Sequence, residues 1–306
     1  MKIGIVGIGA MGSVYAGLFA AAGHEVWGID TWAAHVAAIR ARGLRISGAS
    51  GDRVVRLHAT TEATDAGACE LVIIATKAAD VAAAGRAAGA LLGADTPVLT
   101  IQNGLGAFDA LAVELPRERL LIGVAGGFGA SLPAPGEVHH NGMELVRLGE
   151  PDGGVSARVE AVAAVWAGAG FKVRCYGDIN QLVWEKFICN VTFSGPCTVL
   201  DMTVGEVLAN AHAWPLALGC GLEAWEAGIA SGVDFSFDDP ASYIRAFGEA
   251  IPGARPSMLL DHRAGRRSEI DYINGRVPVV AAAVGTAAPR NETIAALVRA
   301  REAGFA

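Results

Sequence analysis

The chain has 306 residues, enough for two ordinary domains, and its 52% apolar and 18% charged content excludes disorder as the main theme. A formal net charge of −7 argues against a nucleic-acid or anionic-membrane partner. The least polar long stretch, Ala211–Leu222, contains His212 and Pro215 and falls short of the roughly 18–20 residues a membrane span needs. In chain order, Lys2–Val6 reads as an apolar strand and Ala10–Ala22 as a small-residue helix stopped by Gly23. His24–Ile29 is a second strand, Thr31–Arg42 a second helix, and Val54–Leu57 and Leu71–Ala75 are further strands. Ala78–Leu92 is helical, Pro97–Ile101 a strand and Leu105–Leu115 helical again. This alternation predicts an α/β fold, a parallel sheet with helices on both faces.

Leu120–Leu148 is rich in glycine, proline and β-formers, with turn signals at Pro133–Gly136 and Asn141–Gly142, and reads as antiparallel strands on the sheet edge. Val155–Ala167 follows as a helix and Phe171–Cys175 as a last strand. Beyond Gly177 the pattern is helical: Ile179–Phe193, a long Gly205–Ser231 pattern interrupted by Pro215, Arg276–Val284 and Glu292–Glu302. The expected domains are therefore 1–177, alternating strand and helix, and 178–306, helical. A cleft between two domains is the usual place for a ligand. The N-terminus begins as a strand without a signal-type apolar run, so a cytoplasmic protein is expected. Five cysteines, Cys69, Cys175, Cys189, Cys197 and Cys220, form no C-x-x-C pair. They read as buried free thiols, and no disulfide framework or metal site is expected.

Gly7-Ile8-Gly9-Ala10-Met11-Gly12 follows the first strand and opens the first helix, the required context of a G-x-G-x-x-G dinucleotide turn. Gly7 permits the tight turn, Gly9 lets backbone approach a pyrophosphate and Gly12 lets the helix pack close. With Ala10 and Met11 they open a helix whose free N–H groups and positive dipole end suit phosphates. Asp30 ends the second strand, close to the place where a carboxylate accepts from the adenosine ribose and repels a 2′-phosphate, which favours NAD over NADP. Its plainer role is to cap the following helix.

Lysine occurs only at Lys2, Lys77, Lys172 and Lys186 in an arginine-dominated chain, and an ammonium can release a proton where a guanidinium cannot. Lys186 and Asn190 stand one turn apart on one helix face. Outward snorkelling is the alternative for such a lysine. Lys77 ends a buried strand, where ligands meet open α/β sheets. Asn103, within Gln102–Gly106, is placed to bond a cofactor or substrate, or to cap a helix. Ser257–Asp261 and Ser268–Gly275 form a polar cluster that suits either a site or surface solvation.

Together these residues resemble the ketopantoate reductase (2-dehydropantoate 2-reductase) family over essentially the whole chain. Gln102–Gly106 and Ser268–Gly275 are the specific parts, while Lys186 with Asn190 is also similar to the β-hydroxyacid dehydrogenases. The resemblance implies a Rossmann domain, an all-helical C-terminal domain, and NAD(P)H-dependent reduction of the C2 carbonyl of a 2-oxo acid. Ketopantoate going to pantoate, a step of pantothenate biosynthesis, is the expected case. It also implies Lys186 as general acid, Glu269 binding a substrate hydroxyl, Asn103, Asn190 and Ser257 holding substrate or cofactor, and Lys77 near the nicotinamide end. Ser194 stands on the substrate side, where many relatives have a second asparagine, and Pro256-Ser257-Met258 replaces a Ser-Ser-Met. Trp32 replaces the arginine that greets the NADPH phosphate, so the family implies NADPH while Asp30 leans toward NADH. Two other readings stand beside it: an NAD-linked 2-hydroxyacid dehydrogenase with a different 2-oxo acid, and a non-catalytic NAD(H) sensor. A homodimer through the long second-domain helices is the expected assembly, if any.

Overall fold

The computed structural model describes residues 1–127, 129–142 and 145–305. The chain divides into two compact units, residues 1–102 with 106–179, and residues 103–105 with 180–306. The turn 103–105 thus belongs with the second unit although its neighbours in sequence lie in the first.

The first unit contains strands β1 (Lys2–Val6), β2 (Glu25–Ile29), β3 (Leu44–Gly48), β4 (Arg53–Val55), β5 (His58–Thr60), β6 (Leu71–Ile74), β7 (Val98–Thr100), β8 (Leu120–Gly126), β9 (Gly129–Ala134), β10 (Glu137–Gly142), β11 (Leu145–Gly149) and β12 (Val173–Cys175). Its helices are α1 (Ala10–Ala21), α2 (Ala33–Arg42), α3 (Val81–Ala88), α4 (Ala107–Glu114) and α5 (Ala157–Gly168). The main sheet runs β12-β11-β8-β7-β6-β1-β2-β5. Its pairings are parallel except β8 with β11. From β5 to β8 the strands follow the doubly wound Rossmann order, which reverses between β1 and β6, where ligands meet such sheets. Val6, Ile73 and Ile74 in β1 and β6 are buried because helices cover both faces. Trp166 of α5 packs edge-on against Tyr15 and Phe19 of α1 at centroid distances of 5.0 Å each.

Two strand expectations are corrected. The expected Val54–Leu57 strand is β4, which pairs with β3 in a second, four-stranded sheet, and the main sheet takes β5 instead. Arg53 and Val54 are exposed, whereas Ala59 and Thr60 are small enough to sit buried beside β2. The antiparallel hairpin of β9 and β10 is not on the edge of the main sheet. β8 and β11 do pair antiparallel within the main sheet, as expected of Leu120–Leu148, whereas the hairpin pairs through β10 with β3 in the order β4-β3-β10-β9.

The second unit consists of α6 (Ile179–Leu200), α7 (Val204–Ala209), α8 (Ala213–Ala230), α9 (Pro240–Ala250), α10 (Ser257–Arg263), α11 (Arg276–Val284) and α12 (Pro289–Glu302), with no strand among its described residues. Its core includes Phe187, Ile188, Val191, Cys220, Ala224, Val277 and Ile294. The expected Gly205–Ser231 helix is broken at 210–212, where Asn210 Oδ1 accepts from the N–H groups of His212 and Ala213. Pro215 is not the break. It falls in the first turn of α8, where a missing N–H costs little. α6 runs past Phe193 through Pro196. α9, capped by Asp239 with Pro240 in its first turn, and α10 were not expected.

Candidate active site

In the first unit the glycine turn is built by contact, not by flexibility. Gly7 has φ +91°, and its N–H donates to Ile29 O at 2.8 Å, tying the turn to β2. A Cβ on Gly12 would lie 1.9 Å from Gly7 O, so only glycine lets α1 start here. A Cβ on Gly9 would meet no atom within 4 Å. That glycine serves no internal packing, and no side chain caps α1 above it. Ala10 and Met11, in the first turn, are half-buried. Bare N–H groups beside a side-chain-free cradle fit a dinucleotide pyrophosphate.

A chain of hydrogen bonds holds this turn from behind. Gly136 N–H donates to His35 Nδ1 at 3.0 Å, so the proton of the neutral ring is on Nε2. His35 Nε2 lies 3.1 Å from Ser13 Oγ, which donates to Ile8 O at 2.7 Å within the glycine turn. Burial lowers the His35 pKa, against the opposing pull of Asp30 and the Ile8 carbonyl. Asp30, half-buried, accepts from Trp32 N–H at 2.9 Å. This bond closes a local turn ahead of α2; the N-cap of that helix is Trp32 and no side chain caps it, so the helix-capping role expected for Asp30 is not met. The indole of Trp32 is 42% exposed and stacks on His35 at 5.1 Å with planes 10° apart.

At the carboxyl ends of the neighbouring strands, Gln102 clamps β6 to β7. Its Nε2 donates to Ile74 O at 2.7 Å and Thr76 O at 3.2 Å, and its Oε1 accepts from Ile101 N–H at 3.2 Å and the Thr100 hydroxyl. Lys77, one residue past Thr76, is exposed.

In the second unit, Lys186 on α6 donates from Nζ to Asn103 Oδ1 at 2.8 Å, and both are half-buried. Lys186 therefore does not simply snorkel, and Asn103 is no helix cap, since α4 starts at Ala107 behind Gly106. Leu105 N–H donates to Tyr272 O at 3.1 Å, and a Cβ on Gly104 would lie 2.2 Å from the same oxygen. The turn 103–105 is thus seated on the 3₁₀ turn Ile270–Tyr272, which follows the half-buried Glu269. Asn190 is half-buried one turn beyond Lys186, and Ser194 is buried one turn further. Ser257, the first residue of α10, is exposed. The described contacts bring Lys186 and Asn103 together and seat them beside the Glu269 segment. They do not bond Asn190, Ser194 or Ser257 into that group.

The Glu269 segment is anchored from α12. Glu302 Oε1 accepts from Ser268 N–H at 2.8 Å and Ser268 Oγ at 2.5 Å, and lies 3.0 Å from His262 Nε2. Burial works to raise the Glu302 pKa, but the two Ser268 bonds and His262 overcome it, so the carboxyl titrates below its usual range. Sequence reading gave Gln102, His35 and Glu302 no role. Gln102 carries a visible signal, a polar pair with Asn103 directly after an apolar strand. His35 and Glu302 carry none, because their partners lie 22 and 34 residues away.

A doubly wound sheet with a glycine turn at its switch point, joined to a helical unit holding an amine on an amide, defines a nicotinamide-dinucleotide oxidoreductase. The family profile described as "Ketopantoate reductase PanE/ApbA" matches residues 3–153, and its C-terminal counterpart matches residues 178–302. A 2-dehydropantoate 2-reductase of Archaeoglobus fulgidus is 30% identical over 99% of both chains. Among solved structures, the ketopantoate reductase of Ralstonia eutropha superposes with TM-score 0.90 at 30% identity, covering 99% of each chain. A D-mandelate dehydrogenase with NADH and anilino(oxo)acetate also reaches TM-score 0.90, at 27% identity, covering 100% of this chain and 99% of the other. The chain belongs to the ketopantoate reductase family. No helix among its described residues is long and apolar enough to cross a membrane.

Proposed function

We propose that the chain reduces the C2 carbonyl of a small 2-oxo acid, 2-dehydropantoate first among candidates, with NADH as the preferred donor. The observation that carries this is the 2.8 Å bond from Lys186 Nζ to Asn103 Oδ1. By accepting one ammonium proton, Asn103 ties the Lys186 amine to the turn 103–105, beside the Glu269 segment. The reduced nicotinamide supplies the hydride. As C2 receives it, negative charge grows on the carbonyl oxygen, and the Lys186 ammonium stabilises that charge and donates the proton, giving the 2-hydroxy acid. Asn190 orients the substrate from the same face of α6, Ser194 and Ser257 shape the surroundings, and Glu269 accepts from a substrate hydroxyl. Gly7, Gly9, Ala10, Met11 and Gly12 hold the pyrophosphate, with Lys77 toward the nicotinamide end.

The NADH preference rests on the adenosine end. A 2′-phosphate there would meet the Asp30 carboxylate and the uncharged Trp32 indole instead of an arginine. These same residues, with Ser194, support a second reading, an NADH-linked 2-hydroxyacid dehydrogenase for an acid lacking the ketopantoate hydroxyl. The D-mandelate dehydrogenase similar to this chain was solved with NADH. All five cysteines are free thiols, which suits the reducing cytoplasm. Absorbance at 340 nm, followed with ketopantoate, benzoylformate and aliphatic 2-oxo acids against NADH and NADPH, separates the readings. No oxidation of either cofactor with any acid would refute both.

A further inference from the structure

The segment 268–275 carries two polar side chains with different surroundings. Glu269 is half-buried, whereas Asn274 is 0% exposed. Asn274 Oδ1 accepts from Gly195 N–H at 3.1 Å, and its Nδ2 donates to Val191 O at 2.8 Å. In a regular α-helix those two backbone groups, four residues apart, are partners of each other. The Asn274 amide therefore bridges a rung of the α6 ladder. Gly195 fits it closely: a Cβ there would lie 2.5 Å from Asn274 Oδ1 and 2.4 Å from Ile294 Cγ2.

Neighbouring residues of the same turn also loosen the α6 ladder. Pro196 has no N–H to donate and crowds the preceding turn. Thr192 and Thr198 each donate a hydroxyl to the carbonyl four residues earlier, Ile188 at 2.8 Å and Ser194 at 2.7 Å, a pattern that bends helices. The orientation of the Asn274 amide is also fixed. Its Nδ2 donates a second proton to Asn291 Oδ1 at 2.9 Å. Asn291 Nδ2 in turn donates to Cys220 O at 2.9 Å and Glu223 Oε2 at 2.8 Å. Reversing the Asn274 amide would break its bonds to Gly195, Val191 and Asn291.

The segment thus grips α6 at two places. One is the Asn274 amide at Val191–Gly195. The other is the Tyr272 carbonyl, which holds the turn 103–105 and through Asn103 the Lys186 ammonium. Asn190 lies on the stretch between them.

We infer that Asn274 is a positioning residue, whose amide inserted at the Val191–Gly195 rung of α6 sets the turn that carries Lys186 and Asn190 against the segment that carries Glu269. This rests on Lys186 being the proton donor. Displacements of about 1 Å at a reacting group cost on the order of 10²-fold in rate.

The test uses the full-length protein. Asn274→Asp keeps the acceptor for Gly195 and loses both donated bonds, while Gly195→Ala presses on the same amide from the helix side. Both variants should lose about 10–100-fold in kcat while NADH affinity, read by fluorescence titration, stays within about twofold. Acetic anhydride labelling with mass spectrometry reads four lysines, and the Lys186-to-Lys2 labelling ratio should change by at least about threefold. An unchanged kcat in both folded variants would overturn the inference. So would losses in kcat and NADH affinity that move together with thermal stability, or the failure of both variants to fold, because the amide would then serve general stability. Should the wild type reduce no 2-oxo acid, the functional reading fails, while the labelling ratio still decides whether Asn274 governs the Lys186 environment.

Discussion

Replacing Lys186 by alanine removes the proposed proton source and its charge together. The ammonium donates to Asn103 at 2.8 Å, so it is tied to that amide before substrate arrives. General acid help supplies about 10²–10⁴-fold, and a preorganised donor to a developing oxyanion about 10²–10³-fold. One group performs both tasks, so the contributions overlap. A loss of at least about 10² in kcat, near 2.7 kcal/mol of transition-state stabilisation, is the conservative expectation. Lys186→Arg divides charge from proton: the guanidinium stays cationic but does not release its proton near neutral pH. It should remain at least about tenfold slow. Initial rates with NADH at saturating 2-oxo acid measure both variants. The substitution leaves Gly7–Gly12 unaltered, so NADH affinity should hold within about twofold. Turnover near wild type in the alanine variant would refute the reasoning and remove Lys186 from the chemistry.

Three further expectations follow from the first unit. In Gly12→Ala the new Cβ starts 1.9 Å from Gly7 O, where at least 3.0 Å is needed, so the turn must open. NADH affinity should fall about tenfold or more by isothermal titration, and wild-type affinity would refute the packing argument. Trp32→Arg places a cation beside Asp30, and the ratio of kcat/KM with NADPH to that with NADH should rise about tenfold; a wild type that already prefers NADPH would sink the assignment. Burial lowers the pKa of His24, His35 and His140 below 6.5. The unfolded chain takes up those protons first, so their stabilising contribution is complete above pH 6.5 and is lost as pH falls through the lowered values. The Tm should therefore drop between pH 7.5 and pH 5.5, and a flat Tm across that interval would contradict it.

Much of the fold was legible because periodicity and punctuation agree. The alternation from β1 to α4 and the glycine turn at Gly7–Gly12 stand in the sequence as strand, turn and helix. The failures have a common cause. β3 and the hairpin of β9 and β10 depend on a partner far along the chain, and nothing within Leu44–Gly48 tells that its partner is Glu137–Gly142. Which sheet the hairpin joins is decided by its pairing with β3, far earlier in the chain, which no local pattern displays. The break between α7 and α8 was legible as a break but misplaced, because proline is a conspicuous residue even where a first turn tolerates it, while Asn210 interrupts the helix through side-chain bonds that no pattern displays.

Within the candidate site, residue identity was readable and pairing was not. Asn103 and Lys186 are 83 residues apart, as are Val191 and Asn274. An asparagine in an apolar window announces that something buried must satisfy it, since an unpaired buried amide costs about 1–3 kcal/mol. It does not announce what. Asn274 could have capped a helix or faced a ligand with the same residue type and spacing. Its partners are backbone groups of α6, which every helix possesses, so the contact leaves no signature at 191 or 195 except the glycine that makes room for it. Gly195 was therefore the only local hint, and it reads as a helix weakness until the amide that occupies its missing side chain is seen.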